Sequence, residues 1–139
     1  MTLADDLILA ERAAHEAGDL LRAHWEDRGT LVIDAKRQGD FVSQADHRSE
    51  ALLRGRLLDA RPGDGWLGEE SAPSPGTRRW IVDPLDGTTN FLRGIAHWAV
   101  SIALEVDGRL VLGVVHDPLK HETFSAVTGG GLRLNGASV

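Results

Sequence analysis

Two apolar runs, Trp98 to Val106 and Arg109 to His116, are joined by nothing but Asp107-Gly108. A two-residue Asp-Gly connection between apolar runs is the strongest short-range hairpin signal a sequence carries. The two runs are therefore expected as antiparallel neighbours, and any fold for this chain must contain that pair. The surrounding residues keep the same rhythm. Trp66-Leu67, Trp80 to Val82, Thr123 to Val127 and Leu132-Arg133-Leu134 are short strand candidates. Turn material separates them, in the loop from Ser71 to Thr77 and the run Gly129-Gly130-Gly131.

Before residue 60 the period is different. Leu3, Leu7, Ala10, Ala14, Ala17, Leu20, Leu21 and Trp25 recur at helical spacing behind Thr2, a candidate N-cap with Asp5 three residues on. Leu31-Val32-Ile33 is a candidate short strand and Arg37-Gln38-Gly39-Asp40 a candidate turn. A second helix is expected to start between Ser43 and Asp46 and to run to Ala60. Ala45, Leu52, Leu53 and Leu57 form its apolar side, and Pro62-Gly63-Asp64-Gly65 its stop. Helices followed by strands predict an α+β fold, two N-terminal helices packed on one face of a largely antiparallel sheet. With no repeat, linker or low-complexity segment, residues 1–139 are expected to form a single domain.

Composition narrows the function classes. At 139 residues, 42% hydrophobic and 26% charged, the chain suits one globular domain. A net charge of -6 with no basic block argues against nucleic acid or an anionic membrane as partner. The absence of cysteine removes disulfides, thiolate nucleophiles and Cys-based zinc sites. The N-terminus is acidic where a signal peptide is cationic, and no apolar run approaches a membrane span, so a cytoplasmic location is expected.

The chemistry-bearing residues gather at three places. Asp83-Pro84-Leu85-Asp86-Gly87-Thr88-Thr89 follows an apolar strand, and Pro84 is expected to turn the chain out of the strand just after Asp83. Glu69-Glu70 ends a second apolar strand, and Asp40 and Asp46 bracket the expected start of the second helix. Clustered carboxylates repel unless a cation neutralises them, and oxygen-only ligand sets favour Mg²⁺ or Mn²⁺ over zinc. Taken singly, each feature has a plainer explanation. Asp46 suits an N-cap, Glu69-Glu70 a solvated pair, and the Trp residues core anchors. His15, His24, His47, His97, His116 and His121 form no ligand spacing.

Their joint order is more specific. GDFVSQAD (39–46), WLGEES (66–71) and WIVDPLDGTTNF (80–91) resemble, in order and spacing, the motifs of the inositol monophosphatase family. This family belongs to a wider group of Mg²⁺-dependent, lithium-sensitive phosphatases that includes bisphosphate nucleotidases and fructose bisphosphatases. The similarity continues through AVSIALEVDGRLVLGVVHDP to LNG and so covers essentially the whole chain. It implies that Glu69, Asp83 and Asp86, with the backbone carbonyl of Leu85, hold two metal ions. It also implies that Asp46 and Thr88 pair to orient the attacking water, with Glu70 in support. The amides of Gly87 and Thr88 would meet the substrate phosphate, and Lys36 would lie near the metals.

The implied cofactor is Mg²⁺, with Mn²⁺ as substitute, and the implied reaction is hydrolysis of inositol monophosphate or a related small phosphate ester by activated water. A 3′(2′),5′-bisphosphate nucleotidase is the alternative substrate class. The other alternative is a truncated, non-catalytic fragment that binds Mg²⁺ weakly. Family members are often homodimers, so a homodimer is an expected assembly. The chain departs from the family pattern at Arg93 and Ala96. It departs more seriously in length, because the second α/β domain, with its Trp-Asp motif and a further Asp ligand, has no counterpart here. The expected architecture is thus the N-terminal half of the family's layered sandwich.

Overall fold

The computed structural model describes residues 2–27 and 35–139. Helix α1 (Leu3–Asp27) begins at a reciprocal cap. Thr2 Oγ1 accepts from the Asp5 amide at 3.2 Å, and Asp5 Oδ2 accepts from the Thr2 amide at 2.9 Å. Its buried stripe is Ala10, Ala13, Ala14, Ala17, Leu21 and Trp25, mostly small side chains that let the helix lie close to the sheet. At Gly18 the approach is close enough that a Cβ would come within 2.7 Å of the His116 ring.

Helix α2 (Ala35–Ala60) starts well before the expected window of Ser43 to Asp46, and the expected turn from Arg37 to Asp40 is helical. Asp46 is accordingly mid-helix and caps nothing. The cause is a longer inward stripe than Ala45, Leu53 and Leu57 alone suggest: Val42, Ala45, Asp46, Ser49, Glu50, Leu53 and Leu57 are all buried at spacings of three or four. Packing along that stripe offsets the roughly 1 kcal/mol that Gly39 costs inside a helix. The side chains of residues 35–38, Lys36 among them, and the candidate strand Leu31-Val32-Ile33 lie outside the described residues.

Strands β1 (Gly65–Leu67), β2 (Arg78–Asp86), β3 (Ala99–Val106), β4 (Arg109–Asp117), β5 (Glu122–Val127), β6 (Gly131–Leu134) and β7 (Ala137–Ser138) lie side by side in chain order. Strands β1 and β2 run parallel, and each later neighbour is antiparallel. The hairpin of β3 and β4 turns at Asp107 (φ 51°) and Gly108 (φ 80°), the two positive φ values its tight connection demands. Trp80, Val82, Val100, Ile102, Leu104, Leu112 and Val114 alternate onto the face that carries both helices. Trp25, Phe91 and Trp98 close the core at ring separations of 5.0 to 5.6 Å.

Two details near Pro84 differ from expectation. Strand β2 does not end at Asp83 but continues to Asp86, and the donor missing at Pro84 is absorbed as a register shift between Asp83, opposite Ser101, and Asp86, opposite Ala99. A short helix, α3 (Thr88–Leu92), follows directly. At the other end of β2 an ion network ties the layers together. Asp6 of α1 accepts from Arg61 Nε at 2.8 Å and Arg78 Nη2 at 3.1 Å, while Asp64 accepts from Arg78 Nε at 3.0 Å and Trp80 Nε1 at 2.9 Å.

Candidate metal centre

Three segments converge beside the bulge in β2. The bulge presents Asp83 and Asp86, the loop leaving β1 presents Glu69 and Glu70, and the inward stripe of α2 presents Asp46. Asp46, Glu69 and Glu70 each place a carboxylate oxygen within 4.8 Å of the other two. Asp46 is only 7% exposed, and its Oδ1 has no hydrogen-bond partner among the described residues. Burial, followed by the charges of Glu70, Glu69 and Asp83, pushes the Asp46 carboxyl up to about 7.

Asp83 joins this group through Glu69. Burial raises the Glu69 pKa, and the Asp83 charge raises it further; burial likewise raises Asp83, followed by the charge of Asp86. Glu69 and Asp83 thus face each other as like charges. Two carboxylates so placed repel unless one is neutral or a cation lies between them. A buried carboxylate oxygen with no partner among the described residues, a facing pair of carboxyls and an all-oxygen donor set together fit a hard divalent ion. These acidic residues could hold a metal ion.

Leu85 buries its side chain, donates its amide to Asp83 Oδ1 at 3.3 Å and receives the Thr88 hydroxyl on its carbonyl at 3.2 Å. The implied Asp46–Thr88 hydrogen bond is therefore not made here: Thr88 sits three residues after Leu85, and a hydroxyl at a helix start satisfies the nearest turn carbonyl. Gly87 has φ 95°, and a Cβ on it would meet the His97 carbonyl at 2.9 Å. Asp86 is exposed at the outer lip of the bulge.

Two participants were not among the expected site residues. His47 donates Nδ1–H to the Ser43 carbonyl at 2.7 Å and brings Nε2 within 3.2 Å of Glu70. With acceptors on both ring nitrogens the doubly protonated form is favoured, and its pKa is raised, first by the Ser43 carbonyl and then by Glu70. Glu50, 1% exposed, accepts hydrogen bonds from the amides of Glu69 at 2.7 Å, Glu70 at 2.9 Å and Ser71 at 2.6 Å, and from the Ser71 hydroxyl. Burial pushes its pKa up, but the Ser71 hydroxyl and the three amides outweigh that and hold it below the usual carboxylate range. The signal for Glu50 was present as an acid four residues after Asp46 and three before Leu53, on the same inward stripe.

A profile of the Inositol monophosphatase family matches residues 3–139. The chain is 46% identical over 127 residues to the inositol-1-monophosphatase of Rhizobium meliloti, covering 89% of this chain and 48% of that protein. It is 39% identical over 133 residues to the Nus factor SuhB of Escherichia coli, covering 94% of this chain and 50% of that protein. The crystal structure of the extragenic suppressor protein suhB from Bartonella henselae superposes with a TM-score of 0.85 at 40% identity, over 96% of this chain and 52% of that one. The chain thus spans about half the length of the curated relatives it matches. No described helix is long and apolar enough to cross a membrane. The chain belongs to the inositol monophosphatase family.

Proposed function

We propose that this chain is the metal-binding half of a Mg²⁺-dependent phosphomonoesterase acting on inositol monophosphate or a related small phosphate ester. The observation that carries this reading is the convergence of Asp46, Glu69 and Glu70 on one point, with Glu69 linked in turn to Asp83. Glu69, Asp83, Asp86 and the Leu85 carbonyl would hold the cation, Mg²⁺ or Mn²⁺. When bound, the ion supplies charge neutralisation for phosphoryl oxygens and lowers the pKa of water.

The residues themselves do the rest. Asp46, with no partner at Oδ1 among the described residues, is suited to hold the attacking water by a hydrogen bond and to take its proton. The Thr88 hydroxyl, three residues from Leu85, orients that water once rotated off the Leu85 carbonyl, and Glu70 supports it with His47 behind it. The amides of Gly87 and Thr88, at the end of the bulge, receive the phosphate, and Lys36 stands on the first turn of α2. Residues 1–139 act as one unit, and the recognition of the alcohol part of the ester lies with a second α/β half such as the family's longer members carry. A small soluble ester in the cytoplasm, rather than nucleic acid or membrane, fits the net charge of -6.

Phosphate release from inositol 1-phosphate with Mg²⁺, set against 3′-phosphoadenosine nucleotides, tests the proposal. Turnover by the chain and its loss in Asp83→Asn support a phosphatase, and the preferred ester names the substrate class. Saturable Mg²⁺ binding without turnover of either ester reduces the chain to a non-catalytic metal-binding half. Absence of both overturns the reading.

A further inference from the structure

We infer that Glu50 is a positioning residue whose buried carboxylate sets the backbone of residues 69–71 and thereby aims Glu69 and Glu70 at the metal site. The inference rests on the cation-site reading above. A carboxylate offers about four lone-pair positions. In Glu50 all four are used: Oε1 takes the amides of Glu69 and Glu70, and Oε2 takes the amide and hydroxyl of Ser71. None is left for a metal, so Glu50 acts through the loop rather than as a ligand. Three consecutive amides converging on one side chain define the direction of the loop, and hence where the Glu69 and Glu70 side chains depart.

The neighbouring residues are shaped to this contact. A Cβ on Gly68 would collide with Glu50 Oε1, so a side chain at this position would displace the carboxylate. Trp66 Nε1 donates to the Ser71 hydroxyl at 3.1 Å, which fixes that hydroxyl as a donor toward Glu50. On the helix side, Ser49 donates to the Pro84 carbonyl at 2.8 Å, so adjacent residues of α2 hold the β1 loop and the β2 bulge at one separation. Asp46 lies one helical turn before Glu50 on the same stripe. One helix segment therefore positions the three carboxylates that meet there.

The test is Mn²⁺ calorimetry on the EDTA-dialysed 139-residue chain, with amide hydrogen exchange followed at Glu69, Glu70 and Ser71. In Glu50→Gln the side-chain amide opposes the Ser71 N–H donor to donor. Its Mn²⁺ affinity should fall about tenfold or more, the range seen when partners behind metal ligands are removed, and the three amides should exchange faster. Leu57→Ala, a core cavity on the same helix, should lose stability yet keep the wild-type affinity. An unchanged affinity in Glu50→Gln, or an equal loss in Leu57→Ala, overturns the role of Glu50. Should Glu50→Gln not fold, Ser71→Ala decides instead, with a severalfold weaker affinity supporting the role and an unchanged one overturning it. Absence of saturable Mn²⁺ binding by the wild type overturns the cation reading itself, a result separable from any variant's.

Discussion

Asp46→Asn is expected to stabilise the cation-free chain, the reverse of what removing a buried charged partner does elsewhere. Asp46 is 7% exposed, lacks a partner at Oδ1 among the described residues and faces Glu70, Glu69 and Asp83, which with burial hold its carboxyl at about 7 instead of 3.8. A carboxyl that keeps its proton longer in the folded state makes folding less favourable as pH rises from about 4 to about 7. At ~1.4 kcal/mol per pH unit the ionised form costs about 4 kcal/mol at pH 8, about 2 kcal/mol at pH 5.5 and under ~1 kcal/mol at pH 4. Asparagine removes the charge and offers an NH₂ group to the acids around it. In EDTA the urea midpoint should rise by about 2 M at pH 8, for an m-value of about 2 kcal/mol/M, and the gain should shrink steadily toward pH 4. Mn²⁺ should close the gap from the other side by stabilising the wild type. A lower midpoint for Asp46→Asn at pH 8, or a difference that ignores pH, would refute the reasoning.

Three further outcomes follow from other parts of the structure. Burial, followed by the stacked His15 ring at 4.3 Å, lowers the His116 pKa to about 4, so stability present above pH 6.5 is lost as pH falls toward 4. That loss amounts to about 3 kcal/mol at full protonation, and in acid melts His116→Gln should lack it. Asp6→Ala leaves Arg61 without its carboxylate partner and Arg78 with Asp64 alone, at a site where Asp6 is 2% exposed. It should cost about 3 kcal/mol in denaturant titration, and adding Arg61→Met should recover part of it. Gly87→Ala imposes a left-handed φ of 95° on a side chain that also meets the His97 carbonyl at 2.9 Å. A cost of about 2 kcal/mol, or roughly 6 °C in Tm, is expected by calorimetry.

The legible parts of this chain are those in which a local rule has no competitor. Asp107-Gly108 admits almost nothing but a tight hairpin, and the strands on either side of it are where the sequence places them. Thr2 with Asp5 announces α1 in the same way. The start of the second helix is not legible because Gly39-Asp40 is ordinary turn material by itself. Its inclusion in α2 depends on Val42 and Ala45 being buried against other elements, which no local window contains. Pro84 was read as an exit from the strand for the same reason. A missing donor can be met by a bulge as well as by a turn, and pairing with β3 decides which.

The site divides along the same line. Asp83, Asp86, Glu69, Glu70 and Asp46 stood out by residue type and order, since carboxylates at strand ends are costly without a purpose. Their convergence is a property of three segments far apart in sequence, as is the repulsion between Glu69 and Asp83. Glu50 shows the difference most sharply. As a letter it is one acid among many on a charged helix; folded, it is buried and encircled by three amides and a hydroxyl. The sequence by itself determined the first helix, the hairpin and the family, because these rest on short-range chemistry and ordered motifs. The tertiary structure alone decided which carboxylates face one another and which faces the backbone, because charge repulsion, desolvation and hydrogen-bond satisfaction act between neighbours in space.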